Sequence, residues 1–419
     1  MRGVIVLTDA YPYAAGEEFF EQEIEILADR FDEVVVVPMR VWQGAKVTRQ
    51  MPKNCRSVLL SKPVSTDWRW QALRWFPQIV SSRYRFIEYS PWSDLRRFQM
   101  DLRFASNCMD VRRRIIAEFP WDSIREWDDI LFYSYWFYTG AAIASILKQE
   151  RLLDRNVKII SRAHAYDVDE RDAPHGYIPS RGFLFENVDV VFPISEYAAG
   201  FLLRRFPGQS NKVRIARLGV PESHVNVRSR SEGLRLVSCS HMAPYKRVSL
   251  IIETVRELQS RGVETHWTHI GESNVERLDG FKNLAERSLD PGSFRFLGYL
   301  SNVDVRRFYA EEELSIFLNV SLSEGVPVSI MEAQSAALPV VATAAGGTGE
   351  IVHDHKNGRL VPVEASSADI ADAIMEVWER SPEEYRLMSE AAKATWGEMS
   401  DSQLQYSRFV MDVEGLFNV

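Results

Sequence analysis

Leu314-Ser315-Ile316-Phe317-Leu318, then Ser323-Glu324-Gly325-Val326-Pro327-Val328-Ser329-Ile330-Met331-Glu332-Ala333, then Pro339-Val340-Val341-Ala342-Thr343 is the stretch that decides the fold. Two short β-branched, apolar runs enclose a turn and a helical segment, the pattern of a strand, a crossover helix and a second parallel strand. Gly325 and Pro327 build the turn, so backbone N–H groups and a helix N-terminus face whatever lies above it; such ends attract phosphate and other anions. Glu324 falls on the turn and Glu332 lies deeper, roughly 12 Å away by helical rise if the path were fully helical. Carboxylates that far apart do not share a proton. They read as hydrogen-bonding posts for different parts of one extended ligand.

The same alternation runs through the chain. Apolar runs at Val4 to Leu7, Val34 to Val37, Ile130 to Tyr133, Val157 to Ile160 and Val190 to Ile194 are separated by longer amphipathic stretches. Further runs follow at Leu234 to Ser238, His266 to Ile270 and Phe294 to Leu297. Continuous apolar strands between helices indicate parallel sheets covered on both faces, a doubly wound α/β protein. The polar, breaker-rich interval Pro221 to Gly233 divides the two series and is where a hinge is expected.

A chain of 419 residues is long enough for two cores. Being 46% hydrophobic and 26% charged, it has the composition of a soluble globular protein. Fifty basic against 58 acidic residues give a formal charge of −8, so global attraction to nucleic acid or to anionic lipid is not expected, which leaves only local basic patches for such contacts. Met1-Arg2-Gly3-Val4-Ile5-Val6-Leu7-Thr8 reads as a first buried strand rather than a secretory leader, and no apolar run is long enough to span a membrane. The cytoplasm is the expected compartment. Cys55, Cys108 and Cys239 are scattered without metal-ligand spacing, so no metal site is expected.

Ser323-Glu324-Gly325 through Glu332-Ala333, with Pro339 to Thr343, Gly346-Gly347 and Glu350-Ile351-Val352, resembles the E-x7-E region of the family 4 retaining glycosyltransferases. The resemblance implies the GT-B fold: two Rossmann-like, doubly wound parallel-sheet domains facing a central cleft. It divides the chain into an acceptor-binding domain at 1–222, a nucleotide-sugar domain at 223–400 and a C-terminal helix at 401–419 that returns to the first domain.

Ligands of open α/β sheets bind beyond the carboxyl ends of the strands, which points to the loops there. After the first strand, a turn-rich segment ends near Gly16, where glycine lets the backbone approach a phosphate or acceptor closely. His164, in Ser161-Arg162-Ala163-His164-Ala165-Tyr166-Asp167, matches the histidine that in the family contacts the donor sugar. In Cys239-Ser240-His241-Met242-Ala243-Pro244-Tyr245-Lys246-Arg247, Lys246 matches the family's diphosphate-binding lysine, but His241 stands where an arginine is usual. One permanent charge is therefore missing unless Arg247 reaches inward. Gly298 and Tyr299 lie in the segment implied to bind the nucleobase through its backbone, and the turn Gly325-Val326-Pro327-Val328 would face the donor with the N–H groups of its residues other than proline.

Between Ser61 and Arg114 the alternation stops. Trp68, Trp70, Trp75 and Trp92 are interleaved with Arg69, Arg74, Arg83, Arg85, Arg96, Arg97, Arg112, Arg113 and Arg114. A basic, tryptophan-bearing helical insertion suits a membrane interface or a lipid-linked acceptor. The plainer alternative is helices packed on the sheet, with arginines paired to acids.

The resulting expectation is a retaining hexosyltransferase that moves a sugar from a nucleoside diphosphate sugar, UDP-sugar first, to an acceptor hydroxyl in bacterial polysaccharide or glycoconjugate synthesis. It would use front-face displacement without a metal ion or other cofactor. Glu324, Lys246 and His164 would serve the chemistry, and Gly16, His241, Arg247, Gly298, Tyr299, Gly325 to Val328 and Glu332 the donor. Peripheral association with the inner face of a membrane is compatible with the insertion. A GT-B epimerase would share the donor pocket without an acceptor, and a noncatalytic sugar-binding protein would bind without releasing nucleotide. A dehydrogenase fits less well, since G-x-G-x-x-G does not follow the first strand.

Overall fold

The computed structural model describes all residues except 15, 64–66, 82–83, 151–154, 165, 172, 226, 273 and 418–419; Arg83 of the basic insertion therefore lies outside the described residues. The chain forms two compact units, Met1–Arg217 with Tyr406–Val419, and Leu218–Gln405.

The N-terminal unit holds a parallel sheet of strands β1 (Arg2–Thr8), β2 (Glu33–Pro38), β3 (Cys55–Ser57), β4 (Asp129–Ser134), β5 (Asn156–Ala163) and β6 (Val190–Pro193), in the order β3-β2-β1-β4-β5-β6. The C-terminal unit repeats the plan with β7 (Leu234–Cys239), β8 (Thr265–Ile270), β9 (Phe294–Phe296), β10 (Ile316–Asn319), β11 (Val340–Thr343) and β12 (Gly358–Val361), ordered β12-β11-β10-β7-β8-β9. Both are the Rossmann order, so each unit has a point, between β1 and β4 or between β7 and β10, where the chain turns away to opposite sides.

In the C-terminal unit, Leu236, Ile316, Leu318 and Val341 enter one core cluster, while their neighbours Val237, Phe317, Val340 and Ala342 enter another. Successive side chains point to opposite faces, and both faces are covered, which is why these strands read as unbroken apolar runs. The two strands absent from the sequence expectation, β3 and β12, are edge strands. Covered less completely, they carry polar residues (Cys55-Arg56-Ser57 and Gly358-Arg359) in place of an apolar run.

The Pro221 to Gly233 interval is not the expected free hinge but is stitched onto the C-terminal unit. Arg228 donates to the carbonyls of Ala336, Glu312 and Tyr309, Ser223 pairs with Ser335, and Ser231 with Ser315. The units divide at Arg217/Leu218 and Gln405/Tyr406 instead of 222/223 and 400/401. Pairing of Val220 with Asp401 explains the shift, with Gly219 pressed so close to Ser402 that a Cβ would lie 2.4 Å from its Cα. From Tyr406 onward the chain belongs to the N-terminal unit: Phe409 packs on Tyr133 and Phe192, and lies beneath the buried Arg162, which pairs with buried Glu23 at 2.8 Å.

The basic insertion resolves into two helices of different character. In Leu95–Glu118, Arg97, Arg112, Arg113 and Arg114 pair with Asp94, Glu150 and Asp110, as the packing alternative expects. In Trp68–Ser81, the Arg69 and Arg74 side chains form no ion pair among the described residues, although Arg69 N–H donates to the Asp67 carboxylate at 2.9 Å.

Candidate functional site

At the divergence of β7 and β10, the loops leaving the two strands meet. Leu322 N–H donates to Tyr245 O at 2.8 Å, and Lys246 Nζ to Glu324 Oε1 at 2.6 Å. Asn319, the last residue of β10, donates to the same Oε1 at 3.2 Å. The Lys246 and Glu324 side chains are only 15% and 9% exposed, so their attraction is weakly screened. The Gly346-Gly347 pair supports this turn from behind. A Cβ on Gly346 would sit 1.7 Å from Glu324 O and one on Gly347 2.2 Å from Gly325 O, while Gly347 N–H donates to Gly325 O at 2.7 Å.

The helix Val328–Ser335 begins after Pro327, with no side chain capping its first amides. Val326 is buried in the core and Val328 half-buried, so only the backbone of this turn is free to meet an anion. Glu332 points inward from the same helix. It is almost fully buried, 3.8 Å from Arg306, and its Oε1 accepts no hydrogen bond among the described residues. Burial raises its pKa to about 7 against the opposing pull of Arg306.

The cations of the loop after β7 differ from the sequence expectation. Arg247 does not reach inward to replace the missing charge. It adopts φ +51° and donates to the carbonyls of Val320 at 2.5 Å, Val363 at 2.8 Å and Ser321 at 3.4 Å. Its left-handed backbone turns the side chain toward the ends of β10 and β12, where those carbonyls consume the guanidinium donors. His241 accepts from Ala243 N–H through Nδ1 at 3.3 Å and pairs with Tyr245 Oη through Nε2 at 3.0 Å. Desolvation, then the neighbouring Lys246, lowers its pKa, so it is neutral at pH 7.

A cation that the sequence reading missed lies at the same loop. Arg277, in the first turn of the helix Val275–Ser288, donates from Nη1 to Met242 O at 3.3 Å and adds to the positive field on His241. It follows a different strand, β8, and carries no motif of its own.

Gly271 and Gly298 pair across the ends of β8 and β9, with Gly271 N–H donating to Gly298 O at 2.7 Å. Gly271, at φ +111°, lies so near the β7 loop that a Cβ would meet Ser240 O at 2.2 Å. The candidate base-binding backbone at Gly298 and the loop after β7 are thus neighbours, and Tyr299 is exposed beside them.

In the N-terminal unit, His164 follows β5 and is buried beside Tyr135 and Trp136, with ring centroids 5.0 and 4.4 Å away. Neither ring nitrogen has a hydrogen-bond partner among the described residues. Desolvation, reinforced by Arg162, lowers the pKa to about 3, so the ring is neutral at any working pH. Its backbone N–H and that of Phe137 both donate to Asp167, which joins the loops after β4 and β5.

Gly16, expected to let the backbone approach a phosphate or acceptor, donates its N–H to Glu18 at 2.6 Å. It needs its φ of +95°, and nothing crowds its missing Cβ. The amides that could receive an anion, those of Asp9, Ala10 and Tyr11, already donate to the Glu17 carboxylate at 2.8 to 2.9 Å. A cavity of about 640 Å³ opens elsewhere in this unit, lined by Arg40, Trp42, Trp68, Arg103, Tyr138 and Tyr166 among others.

Comparison with known proteins places these features in a wider group. Residues 220–395 match the family profile described as glycosyl transferases group 1. A protein of Salmonella typhimurium named a colanic acid biosynthesis glycosyltransferase, WcaL, is 28% identical over 214 residues, 49% of this chain and 52% of the relative. The chain thus spans about half the length of that curated relative. The structure of sucrose-phosphate synthase from Thermosynechococcus elongatus superposes with a TM-score of 0.70 at 15% identity, covering 100% of both chains. Anabaena HepE in complex with UDP superposes with a TM-score of 0.64 at 14% identity, covering 99% of this chain and 100% of that one. The pair of Rossmann-like units expected from the sequence is therefore the fold found, and the C-terminal unit is related to the group 1 glycosyltransferases.

Proposed function

We propose that this protein is a retaining glycosyltransferase that moves a hexosyl group from a UDP-sugar to an acceptor hydroxyl in bacterial polysaccharide or glycoconjugate synthesis. The observation that carries the reading is the Lys246–Glu324 pair at the strand divergence of the unit that matches the glycosyltransferase profile. The UDP bound to the similarly folded HepE supports the choice of nucleotide.

Lys246 and Arg277 neutralise the diphosphate, assisted by the backbone N–H groups of Gly325, Val326 and Val328. Arg277 supplies the permanent charge that neutral His241 lacks. Glu332 takes the ribose hydroxyls, which donate to its Oε1, an atom that faces Arg306 at 3.8 Å but accepts no hydrogen bond among the described residues. Gly298 and Tyr299 border the base. Lys246 and Asn319 both bond Oε1 of Glu324, leaving Oε2 for the transferred sugar.

In the reaction, the bond from the anomeric carbon to the phosphate oxygen breaks and a bond to the acceptor oxygen forms on the same face. The acceptor proton passes to the departing phosphate oxygen. Cations fixed beside that phosphate stabilise charge as it develops there, the most effective place for it. They do so without a metal ion. His164, neutral and with both ring nitrogens unsatisfied, exchanges hydrogen bonds with a sugar hydroxyl and does not act as a charged acid.

Incubation of the purified protein with a panel of UDP-sugars tests the reading, because slow hydrolysis requires no acceptor. Release of UDP and free sugar with retained anomeric configuration is the expected result. Interconversion of sugars would establish the epimerase alternative, and tight binding without UDP release the noncatalytic one.

A further inference from the structure

The helix Trp68–Ser81 is apolar on two sides, and only one of them is covered. Gln71, Ala72 and Ile79 are buried, and Trp75 packs against the core of the N-terminal unit. On the other side Trp70, Leu73, Phe76 and Val80 are 42%, 78%, 44% and 61% exposed. Their spacing of three, three and four residues makes one continuous stripe along the helix. A soluble helix normally turns its polar residues to that side.

Within the helix the charges are of one sign, and the exposed Asp67 just before it accepts from Arg69 N–H at 2.9 Å. The sequence Trp68-Arg69-Trp70-Gln71-Ala72-Leu73-Arg74-Trp75-Phe76-Pro77-Gln78-Ile79-Val80-Ser81 contains two arginines and no acid, within a chain of net charge −8. Arg69 and Arg74 are exposed, and the Arg74 guanidinium lies over the rings of Trp70 and Trp75 at 5.4 and 5.3 Å. Tryptophan rings with cations at their edges, beside an aliphatic stripe, match the boundary between acyl chains and anionic headgroups.

We propose that the outer face of the Trp68–Ser81 helix seats this protein on an anionic lipid surface. A second copy of the chain fits the face less well, because a two-fold contact through it would carry Arg69 and Arg74 of both copies into one interface with no acid in the helix to pair them. The inference rests on the glycosyltransferase reading only for its purpose. Trp68 and Gln71 on the same helix line the cavity of the N-terminal unit, so lipid against the outer face lies within about one helix diameter, roughly 10 Å, of a site for an acceptor.

Flotation of the full-length protein with vesicles of phosphatidylcholine alone, or mixed equally with phosphatidylglycerol, tests the seat without requiring catalysis. The wild type is expected to float with the anionic vesicles and to release at high salt. Arg69→Gln with Arg74→Gln should weaken that binding about 30-fold, from roughly 1 kcal/mol per basic residue at an anionic surface. Trp70→Ser with Leu73→Ser and Phe76→Ser should abolish it, while circular dichroism and UDP-sugar hydrolysis stay unchanged. Wild type that stays with the soluble fraction, or variants that bind as well as wild type, would overturn the proposal. So would light scattering that shows a dimer dissociated by the same serine variant. Loss of UDP-sugar hydrolysis in the wild type would instead count against the glycosyltransferase reading and leave vesicle binding to be judged by itself.

Discussion

Lys246 Nζ and Glu324 Oε1 lie 2.6 Å apart, although 78 positions separate them in the chain. One residue leaves β7 and the other follows β10, and they meet because these strands are neighbours in the sheet. Each holds the other in place within a half-buried site. A ligand phosphate that approaches Lys246 therefore meets a cation already oriented by a carboxylate.

Lys246→Ala is expected to lower turnover by about 100-fold or more, the scale for loss of a preorganised charge stabiliser. It also leaves Glu324 without its cation, so Lys246→Ala combined with Glu324→Gln should be less than additive. Initial rates of UDP release in the three variants measure this, with folding checked by thermal melting. Full activity in excess chelator is the companion expectation, and loss restored only by a divalent ion would contradict a reaction driven by these cations.

The two glutamates should separate in their effects. Glu324→Gln is expected to reduce turnover with little change in UDP affinity. Glu332→Gln should weaken UDP and uridine by about 10-fold to 150-fold, the range for a hydrogen bond to a charged group. The reverse pattern in calorimetric titrations would mean that the donor lies in the opposite direction.

The raised pKa of Glu332, about 7, adds a pH signature. Ribose hydroxyls favour the carboxylate, so uridine affinity should fall about tenfold from pH 8 to pH 6 as the free site protonates. Glu332→Gln should remove that dependence, and uridine, which lacks a phosphate, keeps ligand titration out of the measurement. Stability has the opposite sign. A carboxyl with a folded pKa above its unfolded value of 4.5 contributes stability below pH 4.5 that is lost as the pH rises through about 7. Chemical denaturation of Glu332→Gln across this range should show a shallower decline than the wild type.

Arg277 and Arg247 should part in a similar way. Arg277→Ala is expected to weaken UDP about tenfold or more while sparing uridine, which has no diphosphate to neutralise. Arg247→Ala should lower the melting temperature, since three carbonyls lose their donor. Arg247→Gly should recover up to about 1 kcal/mol of that loss, because glycine adopts φ +51° without a steric cost. Equal stability of the two variants would show that the left-handed backbone carries no strain.

His164→Ala should reduce transfer and hydrolysis together. With its pKa near 3, the histidine should contribute no inflection to the wild-type pH–rate profile between pH 5 and 8. A wild-type limb near pH 6.5 that vanishes in His164→Ala would mean that the ring takes up a proton in use.

Periodicity and turn chemistry are local, and the features they govern were legible in the chain. Buried strands covered on both faces announced themselves as apolar runs, and Gly325 and Pro327 marked the turn that carries Glu324. The edge strands Cys55–Ser57 and Gly358–Val361 escaped because an edge needs no such run. Which loops face each other depends on strand order and long-range packing, which no local pattern encodes. Only the tertiary structure therefore turned Arg247 toward the carbonyls of Val320, Ser321 and Val363, brought Arg277 to Met242, and set Gly346-Gly347 behind Glu324. It also divided the tryptophans of the basic insertion, packing Trp75 inward and leaving Trp70 in solvent, because the side a helix buries is chosen by the surface it lands on.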